Sequence, residues 1–374
     1  MSLVTFLGIY FVREARIELA TVGLAFLCEN LLRGALAPLF GALSDRIGRR
    51  PLLIAASLVT AVVLPSFLLV RGPASLFAWS IAMGVAGAVK MPVGNALLLD
   101  LAPAERRQSV LAVNYTAVSV AYTLAVMPAG YVAEQGYGLL AAFSSAGYLL
   151  VALLYVLALR GPLPMERAGS EHGFYKEVTS IVHDGLFLSF AAIAFIFPFG
   201  MGLVVFTSPL FAADRGLGEG FIGLVLGANS IIVAALAVPI ASRMERAGPF
   251  HMLGWAALLV AACFGLYGAM PNAGAALIAG TVVFSFGELV FSSAVPAAVA
   301  RLAPPGRRGA YQGGWTLVGA FSMGSALFVS GLLRDAIGWS GAWLAYAALT
   351  LVAALLLVAT RGWFLRGSER AHHG

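Results

Sequence analysis

The chain has 374 residues, of which 60% are hydrophobic and 11% charged, with a mean hydropathy of +0.92. Soluble domains carry about 25% charged residues, so this composition excludes a soluble globular protein. The net charge of +6 contains no run of five like charges, which argues against a nucleic-acid partner.

In chain order, the apolar runs predict helices at about 19–42, 51–70, 74–100, 107–133, 138–160, 186–211, 219–242, 250–270, 273–300, 308–333 and 340–361. Each approaches the ~20 residues needed to cross the hydrocarbon core. Such helices satisfy every backbone N–H and C=O internally, as lipid demands. The fold class is therefore all-α and membrane-integral, with eleven complete helices. Met1 to Val12 is apolar but too short to span, and it lacks the basic start and small-residue cleavage site of a signal peptide. Cys28 and Cys263 fall within apolar runs and read as small buried residues rather than a disulfide.

Basic residues orient the array. With the turn holding Asp45, Arg46, Arg49 and Arg50 placed in the cytoplasm, sixteen Lys/Arg side chains lie on that side and five outside. This points to a multi-pass membrane protein with a cytoplasmic C-terminus, and the excess of Arg over Lys, 21 to 2, suggests a prokaryotic cell membrane. The polar stretch 161–185 then divides a first transmembrane bundle (1–160) from a second (186–361), with 362–374 as a cytoplasmic tail.

The two bundles repeat. A shift of 201 residues places Leu101-Ala102-Pro103 on Leu302-Ala303-Pro304 and Arg106-Arg107 on Arg307-Arg308. It also places Gly130 on Gly331, Arg160-Gly161 on Arg361-Gly362, and Pro38 on Pro239. Repeats of six helices in one orientation imply two bundles related by a pseudo-two-fold axis along the membrane normal. On this register Met1 corresponds to Gly202, while the matching helix of the second half starts near Leu186. The sequence therefore predicts an incomplete first helix, in a chain truncated or mis-started relative to a twelve-helix protein, with a native protein of eleven and a half helices as the alternative.

The turn after the first complete helix reads Gly41-Ala42-Leu43-Ser44-Asp45-Arg46-Ile47-Gly48-Arg49-Arg50. With Pro38 ahead of it and the repeat behind, it resembles the signature loop of the major facilitator superfamily, and the resemblance covers essentially the whole chain. Glycines let helix ends approach closely, and the arginines anchor at an anionic leaflet. The resemblance implies a charge latch of Asp45, Arg46 and Arg49 that stabilises one state of a rocking pair of bundles. Asp100 reads either as a partner of Arg49 or as a solvated helix-end charge. The second-half loop carries a weaker echo in Glu245 and Arg246.

Two further patterns of the family are eroded. The arginine of proton-coupled members falls on Ser80, although Gly84 and Pro92 fit the frame, and the antiporter glycine pattern survives only as Met127-Pro128-Ala129-Gly130. By contrast, Gly287-Glu288, the Leu-Ala-Pro loops and Arg307-Arg308-Gly309 resemble the multidrug-efflux branch.

Four ionisable residues fall within spans: Glu29, Arg33, Lys90 and Glu288. At ~1.5 Å per residue they lie about 12–20 Å from their helix ends, near the midplane. A charge there costs at least about 2.5–3.5 kcal/mol, so each should face a partner or a cavity. Glu29 and Arg33 are four apart and can pair locally. Lys90 and Glu288 stand on the fourth and tenth helices, which line the central cavity in this family. Lys90 is expected either to attract an anionic group or to hold Glu288 ionised across that cavity. Glu288 is the coupling or substrate candidate, with a locally paired structural charge as the plain alternative. Tyr115, Tyr122, Phe195, Phe197, Phe199 and Trp315 are candidate lining aromatics. Asn114, Asn229 and Gln312 offer hydrogen bonds either to substrate or between helices. The Gly223/Gly227 spacing is common by chance and carries little weight.

These features predict a secondary transporter working by alternating access, with no cofactor and no metal. Neither lysine follows a glycine, as a phosphate-binding loop requires, so the energy should come from an ion gradient, or the protein is a uniporter. Proton-linked efflux of small amphipathic compounds by a monomer is the leading expectation. Transport of a small organic anion on Arg33 and Lys90 is the second, and a transport-incompetent sensor-like relative the third. An embedded enzyme would need a metal cluster, nucleophile elbow or paired carboxylates, and the sequence offers none.

Overall fold

The computed structural model describes residues 2–103, 107–159, 181, 183–244, 248–304 and 307–373. The first bundle contains α1 (Ser2–Arg13), α2 (Leu19–Ile47), α3 (Arg49–Val63, prolonged by a 3-10 stretch Leu64–Leu69) and α4 (Pro73–Leu101). It is completed by α5 (Arg107–Gln135) and α6 (Tyr137–Ala158). The second contains α7 (Gly185–Asp214), α8 (Glu219–Met244), α9 (Pro249–Ala269), α10 (Ala273–Leu302) and the long element Arg308–His373. That element turns at one residue, Gly338 (φ 70°, ψ 173°), which separates α11 (308–337) from α12 (339–373). Among the described residues, nine helices are long and apolar enough to cross a membrane, the unsplit long element counting as one. Two expectations need correction here. The break expected at 334–339 is a single-residue kink, and the last helix, expected to end at 361, runs on to His373 through the stretch read as a tail.

Local chemistry sets the turns. Gly48 (φ 93°) and Gly136 (φ 134°) separate α2 from α3 and α5 from α6, and Gly248 (φ 77°) and Gly338 do the same at the related places of the second bundle. These left-handed conformations favour residues without a Cβ. Asp184 caps α7 by accepting from the N–H of Leu186 (2.9 Å) and Phe187 (3.1 Å), and Asn272 caps α10 through Ala275 N–H (2.9 Å). α7 is not uniform: a π turn over Leu203–Thr207 precedes Pro209, which has no N–H to give Val205.

The bundles meet along α2–α11 and α5–α8, with α1 against α7. Small residues make this possible. A Cβ on Gly23 would lie 2.2 Å from the Phe328 nitrogen, one on Gly331 2.4 Å from the Ala20 nitrogen, and one on Gly130 2.4 Å from the Glu219 carbonyl oxygen. All of these contacts lie in the half of the molecule away from the Arg-rich turns, and they close that end. At the other end, a Cβ on Gly41 or Gly94 would meet nothing within 4 Å. On the outside, Leu149, Leu150, Leu153 and Leu154 of α6 are exposed, as a lipid-facing helix requires.

Candidate functional site

The signature turn is held by a short polar chain. Ser44 donates to the Gly41 carbonyl (2.5 Å), and Gly48 then reverses the chain into α3. This brings the buried Arg49 back over the end of α2, 3.3 Å from Asp45. Arg49 also pairs with Asp100 at the end of α4, with Nη2 donating to Oδ1 at 3.2 Å. Of the two readings of Asp100, the geometry has the Arg49 partner. Arg50 donates to the Val156 carbonyl of α6 (3.1 Å), while Arg46 is exposed. The latch residues seen here thus tie α2, α3, α4 and α6 within one bundle. Glu245 and Arg246 lie outside the described residues.

Deeper in the first bundle, Glu29 is buried and bonded to Arg33 one turn below it. Two glycines of α4 make room for this pair: a Cβ on Gly84 would sit 3.0 Å from the Glu29 carbonyl oxygen, and one on Gly87 2.6 Å from Arg33 Nε. Lys90, a turn further on, feels both Glu29 and Arg33, and its Nζ lies 4.0 Å from the centre of the Tyr148 ring on α6. The structure does not bring Lys90 to Glu288; the lysine is engaged within its own bundle.

Glu288 of α10 is buried and receives a hydrogen bond from Asn229 Nδ2 of α8 (3.1 Å). Asn229 Oδ1 accepts in turn from Ser285 Oγ (2.6 Å), which also reaches the Thr281 carbonyl (2.9 Å). Thr281 Oγ1 meets the Tyr267 hydroxyl of α9 at 2.8 Å. Among the described residues Glu288 has no ion-pair partner. The Tyr122 hydroxyl of α5 lies 3.4 Å from Thr5 Oγ1 of α1, within the first bundle. An open groove on the outer face between α8 and α10, bordered by the exposed Leu224, Ile278 and Val282, reaches Asn229 and Thr281 but not Glu288.

The remaining candidates divide. Asn114 bonds to Asn95 of α4 (3.3 Å), and Gln312 donates to the Pro296 carbonyl where proline interrupts α10 (2.8 Å). Trp315 packs at a ring-centre distance of 6.2 Å from Phe190. Phe197 and Phe199 are buried in packing. The Tyr115 side chain lies outside the described residues.

Sequence reasoning missed a polar cluster at the closed end. Asp214 of α7 faces Arg13 of α1 (3.8 Å), Arg334 of α11 (3.0 Å) and Trp339 Nε1 (3.0 Å). Glu134 of α5 accepts from Gly220 N–H (2.8 Å), and the Tyr137 hydroxyl donates to Glu219 (2.5 Å). A signal was present, since Arg13 and Asp214 are separated by the repeat distance of 201 residues. Ser285 and Tyr148 were also missed, as nothing in a lone serine or tyrosine marks its partner.

The Major Facilitator Superfamily model matches residues 1–221 and 190–368. The chain is 22% identical over 350 residues to the uncharacterized MFS-type transporter YqjV of Bacillus subtilis (strain 168), covering 90% of this chain and 82% of that protein. It is 24% identical over 349 residues to a Na(+), Li(+), K(+)/H(+) antiporter of Planococcus maritimus, covering 82% and 79%. Multidrug resistance protein 1 of Bacillus subtilis (strain 168) is 25% identical over 252 residues, 66% of this chain and 64% of that one. Among solved structures, the nucleoside transporter NupG superposes with a TM-score of 0.79 at 15% identity, covering 96% of this chain and 95% of that chain, a likeness of fold. The two repeated helix bundles, the Asp45–Arg49–Asp100 turn and the match along the chain lead to one conclusion: this protein belongs to the major facilitator superfamily and is a multi-pass membrane transporter, not an enzyme.

Proposed function

We propose that the protein is a proton-linked antiporter that expels small amphipathic compounds by alternating access. One observation carries this reading: Glu288 is buried in the membrane half-way along α10 with an amide for company and no cation among the described residues. A carboxylate in that setting is strained and a carboxylic acid is not, so the group takes a proton when buried and releases it when water reaches it. In this reading the rocking of the two bundles opens and closes water's access to it, which couples its state to their relative position. Relatives named as a cation/proton antiporter and a multidrug resistance protein support the same class.

In this reading residues 1–160 and 186–361 rock as a monomer around 161–185, in a cell membrane, with the Arg-rich turns and the C-terminus in the cytoplasm. Asp45, Arg49 and Asp100 brace the cytoplasmic ends of the first bundle. The closed end described above faces outward, so the site is reached from within. The test is transport in proteoliposomes with a lipophilic cationic dye and a small organic anion, with and without an imposed pH gradient. Dye flux that needs the gradient and is lost in Glu288→Gln supports the reading; dye flux indifferent to both overturns it.

A second reading has its own observation. Arg33 and Lys90 set two cations against the one carboxylate of Glu29, an excess suited to a small organic anion. Anion flux that survives Glu288→Gln and fails in Lys90→Ala selects it.

A further inference from the structure

Opposite the closed end, the seam between α9 and α12 carries groups that the transport cycle does not use. Phe250 stacks on Phe364 inside the seam, with ring centres 5.7 Å apart, and a Cβ on Gly254 would lie 2.8 Å from Val358 Cγ2, so the two helices run in contact. His251, Trp255 and Leu258 share one face of α9, as Leu355, Val358 and Arg361 share one face of α12. The apolar members of both stripes are exposed, as side chains against lipid are. Both stripes turn basic at the same level. There Arg361 Nη1 donates to His251 Nδ1 beside an open depression of about 330 Å³, bordered also by Gly248, Phe250 and Leu365.

We propose that this seam binds a phospholipid with an anionic headgroup, its phosphodiester held by Arg361 and His251 and its acyl chains lying over Trp255 and Val358. Arg361 spends one N–H on His251, and among the described residues its guanidinium has no other hydrogen bond or ion pair. With Nδ1 accepting, the imidazole carries its proton on Nε2 and supplies a further donor. Donors without acceptors are the complement of phosphate oxygens. No carboxylate borders the depression to receive the ammonium of a zwitterionic headgroup, so charge selects an anionic lipid. The apolar stripes select a lipid over a soluble anion, since a headgroup at Arg361 lays its chains along Trp255 and Val358. Trp363, 45% exposed and two residues beyond Arg361, marks this level as the membrane interface, where amphipathic rings collect.

The test titrates purified full-length protein, in a neutral detergent, with phosphatidylglycerol or phosphatidylcholine carrying brominated acyl chains. Bromine quenches tryptophan fluorescence at contact, and the exposed Trp255 and Trp363 report on the seam. Phosphatidylglycerol should bind at least about tenfold tighter than phosphatidylcholine. That preference should fall below about threefold in the double variant Arg361→Gln with His251→Gln. It should persist in Arg366→Gln, which removes the same formal charge from an exposed position of the same helix. A thermal melt in lipid-free detergent controls for folding. Should the double variant melt early, His251→Gln alone serves, with an expected loss of about threefold. The site is overturned if the preference survives loss of both groups. It is overturned equally if Arg366→Gln abolishes the preference, which is a general attraction to a basic tail, or if millimolar inorganic phosphate displaces the lipid, which is a small-anion site.

Discussion

In the first bundle Glu29 is answered by Arg33 on its own helix and by the nearby Lys90; in the second, Glu288 has an amide, a serine and a threonine carbonyl behind it. Both acids are buried near the middle of the membrane. The pair on α2 is balanced locally whichever way the bundles lean. The acid on α10 has no ion partner among the described residues, so in the proposed reading it is balanced only when a proton arrives. The duplicated bundles thus hold a buried carboxylate in two ways, one ion-paired on its own helix and one hydrogen-bonded to an amide, and the proposed function makes the second the responsive one.

The largest effect that would sharpen this contrast is on transport. Glu288→Gln should reduce pH-gradient-driven dye flux to that of empty liposomes while leaving the protein at least as resistant to unfolding, since a buried carboxyl is replaced by a neutral isostere. A melt in detergent alongside the flux assay checks both halves. If the variant transports normally, the contrast between the bundles has no functional meaning. Next in size, Arg33→Leu should strand Glu29 and destabilise the protein by about 3 kcal/mol, the low end for a buried pair because Arg33 is 31% exposed. Reversible unfolding in a denaturing detergent reads this directly. Asp100→Asn should cost less, about 1–2 kcal/mol, because Arg49 keeps Asp45 at 3.3 Å. Smallest of all, the double change Glu29→Gln with Arg33→Gln should stay within about 1 kcal/mol of the parent, since removing both partners removes the desolvation penalty with the attraction. A larger loss in the double variant would mean that the α2 pair does more than balance itself.

Much of this was legible in the sequence. The spans, the 201-residue repeat and the Gly41–Arg50 turn require only length, periodicity and spacing, which are properties of one helix at a time. The Glu29–Arg33 pair was legible for the same reason, being four residues apart on one helix. What the sequence did not disclose depends on which helices touch. Lys90 was expected either to attract an anionic group or to hold Glu288 ionised across the cavity; its nearest aromatic partner, Tyr148, is visible only once α4 and α6 are side by side. Asn229 was weighed as either substrate contact or helix glue, and only Ser285 and Glu288 beside it give it a setting. Gly223 and Gly227 were discounted as chance, but both lie in the α5–α8 contact. Their added Cβ atoms would meet the Val126 carbonyl oxygen at 2.9 Å and the Met127 side chain at 2.1 Å. Single-residue turns such as Gly338 are likewise too small to shift a hydropathy window.

The cluster around Asp214 has a kinetic consequence. Of its three partners, Arg334 and Trp339 belong to the same bundle and only Arg13 to the other. When the halves separate, the acid keeps its neighbours, while the exposed Arg13 gives up Asp214 and the Ala213 carbonyl to solvent. Such a contact is worth about 0–1 kcal/mol, so it slows parting of that ion pair by no more than about fivefold. The ion pair is thus a weak bolt, and the closed end is held chiefly by the glycine-lined helix contacts and by the Glu134–Gly220 and Tyr137–Glu219 hydrogen bonds beside it.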